Sequence, residues 1–286
     1  MIDAHQHFWT TSRDDYGWLT PDDAVLYRDF APRDLAPLIG AAGIDRTVLV
    51  QAAPTVAETR YLLGIAERTD FVAGVVGWAP LDAPNAADVL DELAVHPKLV
   101  GVRPMIQDIA DEDWMLGEAV GASLGALAER ELAFDALVHP RHLSRLRVLL
   151  ERNPTLRAVV DHAAKPSIAA GDFEGWAKDM ALVACETSAC CKLSGLVTEA
   201  SVDWTTDDLR PYVDHLLECF GPERLMWGSD WPVVELAGGF ERWREATHEL
   251  LSELGEVERA QILGGVAARF YRPGPTTPSI PVGEHT

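Results

Sequence analysis

Basic side chains are scarce in this sequence. Lys and Arg number 24 against 45 Asp and Glu in 286 residues, a formal charge of −21. Nucleic acid is held by clustered Lys and Arg, so this balance argues against a nucleic-acid partner. An anionic membrane surface is disfavoured for the same reason, and the acid excess reads as a solubility feature. Long apolar runs are missing too. Stretches such as 71–81 fall short of the roughly 18 residues that a bilayer span requires. The opening Met1-Ile2-Asp3-Ala4-His5 has neither the basic nor the apolar segment of a secretory leader. Cysteine is rare. Cys185, Cys190, Cys191 and Cys219 contain no C-x-x-C, and three of them crowd one short region. A disulfide framework is unexpected in a chain with its own core, so a reducing compartment, most simply the cytoplasm, is expected. Two motifs are absent as well: a G-x-G-x-x-G after a strand, which would mark a dinucleotide fold, and a G-x-S-x-G nucleophile elbow. Ser194 ends a predicted strand without an assigned base, and Cys190 and Cys191 read as core residues.

What is present is alternation. Short runs rich in Val, Leu and Ile lie at 2–5, 47–51, 71–78, 99–105, 133–138, 158–161, 191–193 and 225–227. They do not alternate polar with apolar, as suits strands covered on both faces. Amphipathic stretches fall between them at 33–42, 57–68, 86–95, 117–130, 142–152, 173–187, 207–220 and 240–254, with 257–271 last. Eight strands, each followed by a helix, predict a single-domain α/β fold, a (β/α)8 barrel over residues 1–271; an open doubly wound sheet is the alternative. Residues 8–30 form a long aromatic loop after the first strand, and long loops of this kind are usually functional. Trp9, Tyr16, Trp18, Tyr27 and Phe30 either wall a pocket there or cap the barrel mouth as a satellite core. Residues 272–286 hold four prolines and few large apolar groups, and read as an extended, disordered tail.

Chemistry is concentrated at predicted strand ends. His5 and His7 lie two apart on the first strand and so share a face. Two imidazoles converging there could hold a borderline cation such as zinc. His139 follows strand five, His162 ends strand six and Asp230 follows strand eight. A barrel brings the C-terminal ends of all its strands to one mouth, so these side chains are expected to meet. His96, His142, His215, His248 and His285 fall on helices, helix starts or the tail and are read as solvated or as local caps. Arg103 ends strand four and could fork onto a carboxylate or carbonyl, or make a structural ion pair. Lys165 could bind substrate hydroxyls or cap its loop. Gln51 and Trp78 end strands two and three and should face the mouth. Trp78 and Trp231 offer flat faces for a sugar ring, or plain packing. Glu199 lines the pocket or lies solvated. Asp3 and Asp135 are read as structural.

These motifs resemble the amidohydrolase superfamily. Ile2-Asp3-Ala4-His5-Gln6-His7-Phe8-Trp9 is similar, more narrowly, to the amidohydrolase-related sugar-lactone hydrolases, a group that includes enzymes for L-fuconolactone and L-rhamnonolactone. So are Val48-Leu49-Val50-Gln51-Ala52, Gly101-Val102-Arg103, Asp161-His162-Ala163-Ala164-Lys165-Pro166, Lys192-Leu193-Ser194-Gly195-Leu196 and Gly228-Ser229-Asp230-Trp231-Pro232. The match runs from Ile2 to about Tyr271. The resemblance implies a small-molecule lactone substrate opened by water. Asp230 would take the water's proton and return it to the leaving ring oxygen, and His162 would orient the water or steady the oxyanion. His5 and His7, with His139 and Asp230, would hold a divalent metal. Arg103 stands where a bridging Lys or Glu would be needed for a binuclear site, so zero or one ion, zinc if any, is expected; one related branch, the pyrone-dicarboxylate lactonases, works without metal. Metal-dependent decarboxylation of an aromatic or unsaturated acid is the alternative activity. A homo-oligomer is compatible with all of this.

Overall fold

The structure is a computed structural model and describes residues 1–272. Eight parallel strands form one sheet in chain order: β1 Ile2–Gln6, β2 Arg46–Val50, β3 Val72–Gly77, β4 Leu99–Val102, β5 Ala133–Ala136, β6 Ala158–Val160, β7 Cys190–Leu193 and β8 Leu225–Trp227. All eight predicted strands are present. The largest boundary change is in β4, which stops at Val102 instead of running to 105. The sheet closes on itself just beyond β8. Gln6 pairs with Trp231, Asp230 N–H donates to His5 O at 2.8 Å, and His7 N–H donates to Trp231 O at 2.7 Å. The (β/α)8 barrel expected from the alternation is therefore the fold, and the open sheet is not.

Helices α1 Pro32–Ala42, α2 Val56–Glu67, α3 Ala86–Ala94, α4 Glu118–Glu129, α5 Leu143–Arg152 and α6 Glu174–Glu186 follow the first six strands. A short turn of helix, α7 Leu196–Glu199, precedes α8 Thr206–Phe220, and α9 Gly239–Leu250 follows β8. Their starts are chemically marked. Thr55 caps α2 by accepting from Glu58 N–H at 3.0 Å, and Asp208 reaches back to Thr205 N–H at 2.7 Å at the head of α8. The predicted helix over 257–271 is instead three pieces: α10 Glu256–Ala260, a π segment Gln261–Gly265, and α11 Val266–Tyr271. The break falls on Gly264, whose backbone runs against Ile2; a Cβ there would stand 2.8 Å from Ile2 N. The apolar rhythm carries on through this break, so the sequence pattern does not reveal it.

The barrel interior is a separate small core. Ala4, Val48, Val50, Val76, Val100, Ala133, Val159 and Met226 pack with Val266, Ala267, Phe270 and Tyr271 of α11. The C-terminal helix thereby plugs the end where the strands begin and leaves the other end open for a site. A larger core lies between sheet and helices. All four cysteines are free, and among the described residues no helix is long and apolar enough to cross a membrane. The proline-rich stretch 273–286 lies outside the described residues.

Residues 8–30 serve both roles the sequence left open. Trp9 and Phe30 pair through their backbones at 3.1 and 3.0 Å, and the Trp9 indole donates to Arg28 O at 2.9 Å. Phe8, Trp9, Tyr16 and Phe30 are buried as a satellite core, while Trp9 and Trp18 also line the mouth cavity.

Candidate active site

The cavity at the open end has a volume of about 190 Å³. His7, His162, Asp230, Arg103, Lys165, Gln107 and Asp108 supply its polar lining, and Trp9, Trp18, Met105, Leu137 and Val233 its apolar wall. Asp230 sits at the centre. Its Oδ1 is 3.3 Å from His7 Nε2, 3.7 Å from His5 Nε2 and 3.8 Å from His162 Nε2. Burial pushes its carboxyl upward, but His162, His7 and Lys165 together outweigh burial and hold it below the ordinary carboxylate range. Burial pushes the His162 imidazole down to about 4, against the pull of Asp230 and Asp161. His7 and His5 are lowered as well, each first by burial. At neutral pH the site is thus an ionised carboxylate ringed by neutral imidazoles, so the carboxylate is unprotonated and open to a proton, with less proton affinity than an ordinary carboxylate.

Backbone geometry at both key residues is unusual. His162, Ala163, Ala164 and Lys165 have φ of 51°, 50°, 61° and 52°, and Asp230 has φ 56°. Left-handed backbone costs an L-residue roughly 1–2 kcal/mol, so surrounding contacts must enforce it. Trp176 donates to Ala163 O at 2.7 Å, and His162 Nδ1 meets Ser194 Oγ at 2.9 Å. Next to Ser194 stands Gly195, which leaves the His162 ring its space.

The remaining candidates are distributed as follows. Arg103 reaches the cavity with Nη1 3.4 Å from Asp161 Oδ2 and 3.3 Å from His5 Nε2. Gln51 does not line the cavity; its side-chain N–H donates to Arg103 O at 2.9 Å while its backbone carbonyl accepts from Arg103 Nη2, so residue 51 braces Arg103. Trp78 lines an adjoining cavity of about 590 Å³ with Trp18 and Met105. Trp231 is buried behind the wall, 5.2 Å edge-on to Phe30. Glu199 is half-buried, within electrostatic reach of Lys165 and Asp230, and its carboxyl is raised, mainly by burial. His139 stands apart from the donor cluster. It opens the turn Pro140–His142, with its N–H bonded to His142 Nδ1 at 3.1 Å, and it belongs to neither group of converging donors among the described residues. β5 ends at Ala136, three residues before it, and its ring lies within electrostatic reach of Lys165 and Asp108 of the cavity lining.

Sequence reasoning missed the charges beneath the site. Lys192 Nζ, fully buried, lies 2.5 Å from Asp135 Oδ2, 2.9 Å from Asp161 Oδ1 and 3.0 Å from His5 Nδ1. Tyr271 O–H donates to Asp135 Oδ2 at 2.6 Å. Burial raises Asp135 to about 6, against Lys192. Burial also acts upward on Asp161, but Lys192 and Arg103 outweigh it and hold that carboxyl low. The available signal was a charged residue inside each of two otherwise apolar strands. Asp3, read as structural, joins the barrel's edges: Ser229 donates to it through N–H at 2.8 Å and through Oγ at 2.5 Å.

Two donor groups could receive a metal, His5–His7–Asp230 and His5–Asp161–His162. Ligands 2.0–2.1 Å from one tetrahedral ion stand about 3.3 Å from each other. The spacings His5–His7 3.2 Å and His7–Asp230 3.3 Å match that, and His7 Nδ1 faces Val50 O at 2.8 Å, the usual support for a ligating imidazole. The first group fits one ion. In the second, Asp161 is already engaged by Lys192 and Arg103.

A closed barrel with this strand-end set defines a class. The chain belongs to the amidohydrolase family, whose model, described as amidohydrolase, matches residues 2–272. It is 47% identical to the L-fucono-1,5-lactonase of Burkholderia ambifaria over 95% of each chain. It is 38% identical to the L-fucono-1,5-lactonase of Burkholderia multivorans, over 94% of this chain and 95% of the relative. An amidohydrolase from Burkholderia multivorans solved with bound zinc matches it with a TM-score of 0.89 at 35% identity, over 96% of this chain and 99% of that one.

Proposed function

We propose that this protein hydrolyses a sugar-acid lactone of the L-fucono-1,5-lactone class to the open-chain acid. The observation that carries the reading is the Asp230 carboxylate, ionised and ringed at 3.3–3.8 Å by neutral His7, His5 and His162 at the base of a small cavity. Asp230 takes a proton from water as the water oxygen bonds to the lactone carbonyl carbon. The negative charge that develops on the carbonyl oxygen faces Arg103. The ring C–O bond then breaks, and Asp230 returns its proton to the departing alkoxide. His162, held by Ser194, orients the water. Lys165 and Arg103 supply local positive charge for the acid product, which the protein's overall field of −21 would repel. Trp9 and Trp18 wall the sugar; Gln51 acts through Arg103.

No more than one divalent ion, zinc by its N/O ligand set, would be held by His5, His7 and Asp230, where it would polarise the carbonyl or the water. His139 is not part of that set. Two relatives matched along nearly the whole chain are lactonases, which disfavours the decarboxylase alternative. The test is a panel of aldonolactones with acid release followed by a pH indicator, run on enzyme as purified and after chelation, with metal content measured in both. L-Fucono-1,5-lactone and its close stereoisomers should be opened fastest. No lactone opened, together with decarboxylation of an aromatic acid, would reject the reading. Activity lost on chelation and restored by zinc would add the ion to the mechanism.

A further inference from the structure

The lactone-opening steps leave the adjoining cavity of about 590 Å³ unused. It shares Trp18, Met105 and Asp108 with the lining of the reacting cavity, so Trp18 stands as a wall common to both. The reacting cavity, at about 190 Å³, is smaller than the roughly 300–1,000 Å³ of ordinary small-molecule sites. The adjoining space falls inside that range. Three indoles line it, Trp18, Trp78 and Trp114, and none of them is fully buried. Each is held in place. Trp18 donates to Ala52 O at 2.7 Å, and Trp114 donates to Asp82 Oδ2 at 3.0 Å. Thr59 Oγ1 clamps the Trp78 backbone, accepting from its N–H at 2.7 Å and donating to its carbonyl at 2.9 Å. Fixed aromatic faces gathered in one recess and left partly open to water mark a place where a ligand packs.

Charge selects the occupant. Asp15, Asp82 and Asp108 line the adjoining cavity, and among the described residues no Lys, Arg or His does. The reacting cavity has Arg103 and Lys165. An acidic group is therefore drawn to the inner space and repelled from the outer one. Asp82 uses Oδ2 for Trp114, and Asp108 uses Oδ2 for Gln107 at 3.3 Å, which leaves the second oxygen of each carboxylate for a hydroxyl donor. A neutral pyranose meets both demands, its C–H faces lying on indoles and its hydroxyls donating to carboxylates. We propose that this cavity is a subsite for a neutral sugar carried by the lactone, so that the enzyme opens lactones of glycosylated sugar acids as well as the single-ring lactone. The proposal rests on the lactonase reading and extends its substrate class.

The probes are L-fucono-1,5-lactone and its O2-, O3- and O4-β-D-glucopyranosyl derivatives, with acid release followed for each. Wild-type enzyme should open at least one glycosylated lactone with a KM at least fivefold below that of the plain lactone. Trp114→Ala should erase that difference and leave kcat/KM for the plain lactone within twofold. Asp82→Ala carries the same expectation and takes over if Trp114→Ala does not fold. A KM no lower for any glycosylated lactone, or a difference that survives in the folded variant, overturns the proposal. A titration without turnover separates the subsite from the lactonase reading. The matching open-chain acids are added to wild-type protein while the Trp114 indole N–H signal is followed by NMR, assigned by its loss in Trp114→Phe. If no lactone is opened, this titration decides. A shift with a glycosylated acid and none with the plain acid keeps the subsite and rejects only the lactonase reading. A signal unmoved by every glycosylated acid overturns the proposal.

Discussion

A methyl group on Gly195 would stand 2.5 Å from Nδ1 of His162. The absence of a side chain at 195 is what allows that imidazole to lie against β7 and meet Ser194. Gly195 also has φ +65°, which an alanine adopts only at a cost of roughly 1–2 kcal/mol. Gly195→Ala should therefore lower kcat at least tenfold and reduce the melting temperature by about 2–8 °C. Steady-state kinetics and a thermal melt check both. An alanine variant with full kcat would mean that the position of His162 is not critical.

Asp230→Asn keeps the size of the side chain and the backbone bond from residue 230 to His5 O. The fold should survive, with melting within a few degrees of wild type. Removing the base should lower kcat by about 10²–10⁴. Wild-type turnover in the asparagine variant would reject Asp230 as the proton acceptor.

Trp18 is 41% exposed, fixed by its indole donating to Ala52 O at 2.7 Å and by edge contact with Trp9 at 5.3 Å. It offers a rigid wall but no group to the reacting bonds. Trp18→Ala should raise KM about fivefold to twentyfold while kcat changes less than threefold, the pattern of lost uniform binding. A loss confined to kcat would place the indole in the chemistry instead.

Glu58 is fully buried and accepts the N–H groups of Ala52 and Ala53 at 2.8–3.1 Å, tying down the loop after β2. Burial raises its carboxyl from 4.5 to about 7. Between those values the folded state binds the proton that the unfolded state has released. Its stabilising contribution is full below pH 4.5 and is lost as pH rises through about 7, a change of about 3 kcal/mol. Glutamine cannot ionise, so the melting temperature of Glu58→Gln relative to wild type should rise steadily from pH 5 to pH 8. A difference independent of pH would show that Glu58 is ionised throughout.

The barrel was legible because its strands are brief, Val- and Leu-rich and covered on both faces, and because β-to-helix alternation has few architectural solutions. The pairing of His5 with His7, and their meeting with His162 and Asp230, followed from strand-end placement alone. Lys192 was not legible. In Cys190-Cys191-Lys192-Leu193 a lysine reads as a side chain bound for solvent, and only the folded chain reveals Asp135 and Asp161 waiting for it inside. The place of His139 was only partly legible: it follows a strand as an active-site residue would, and in the fold it stands outside the two converging donor groups but within electrostatic reach of the cavity-lining Lys165 and Asp108. The π segment at 261–265 was hidden because its break depends on contact with Ile2, 262 residues away from Gly264.

The seam between His5 and Asp230, and the plug made by Tyr271, place a demand on synthesis. The first strand leaves the ribosome early, yet its histidines have no carboxylate partner until residue 230 appears. The lysine beneath them lacks part of its support until Asp135 is joined by the tyrosine at 271. A growing chain therefore has no working centre until almost the whole barrel has emerged. An amino-terminal fragment carrying His5 and His7 would be chemically inert, exposing an unclosed sheet edge for chaperones or proteases to recognise.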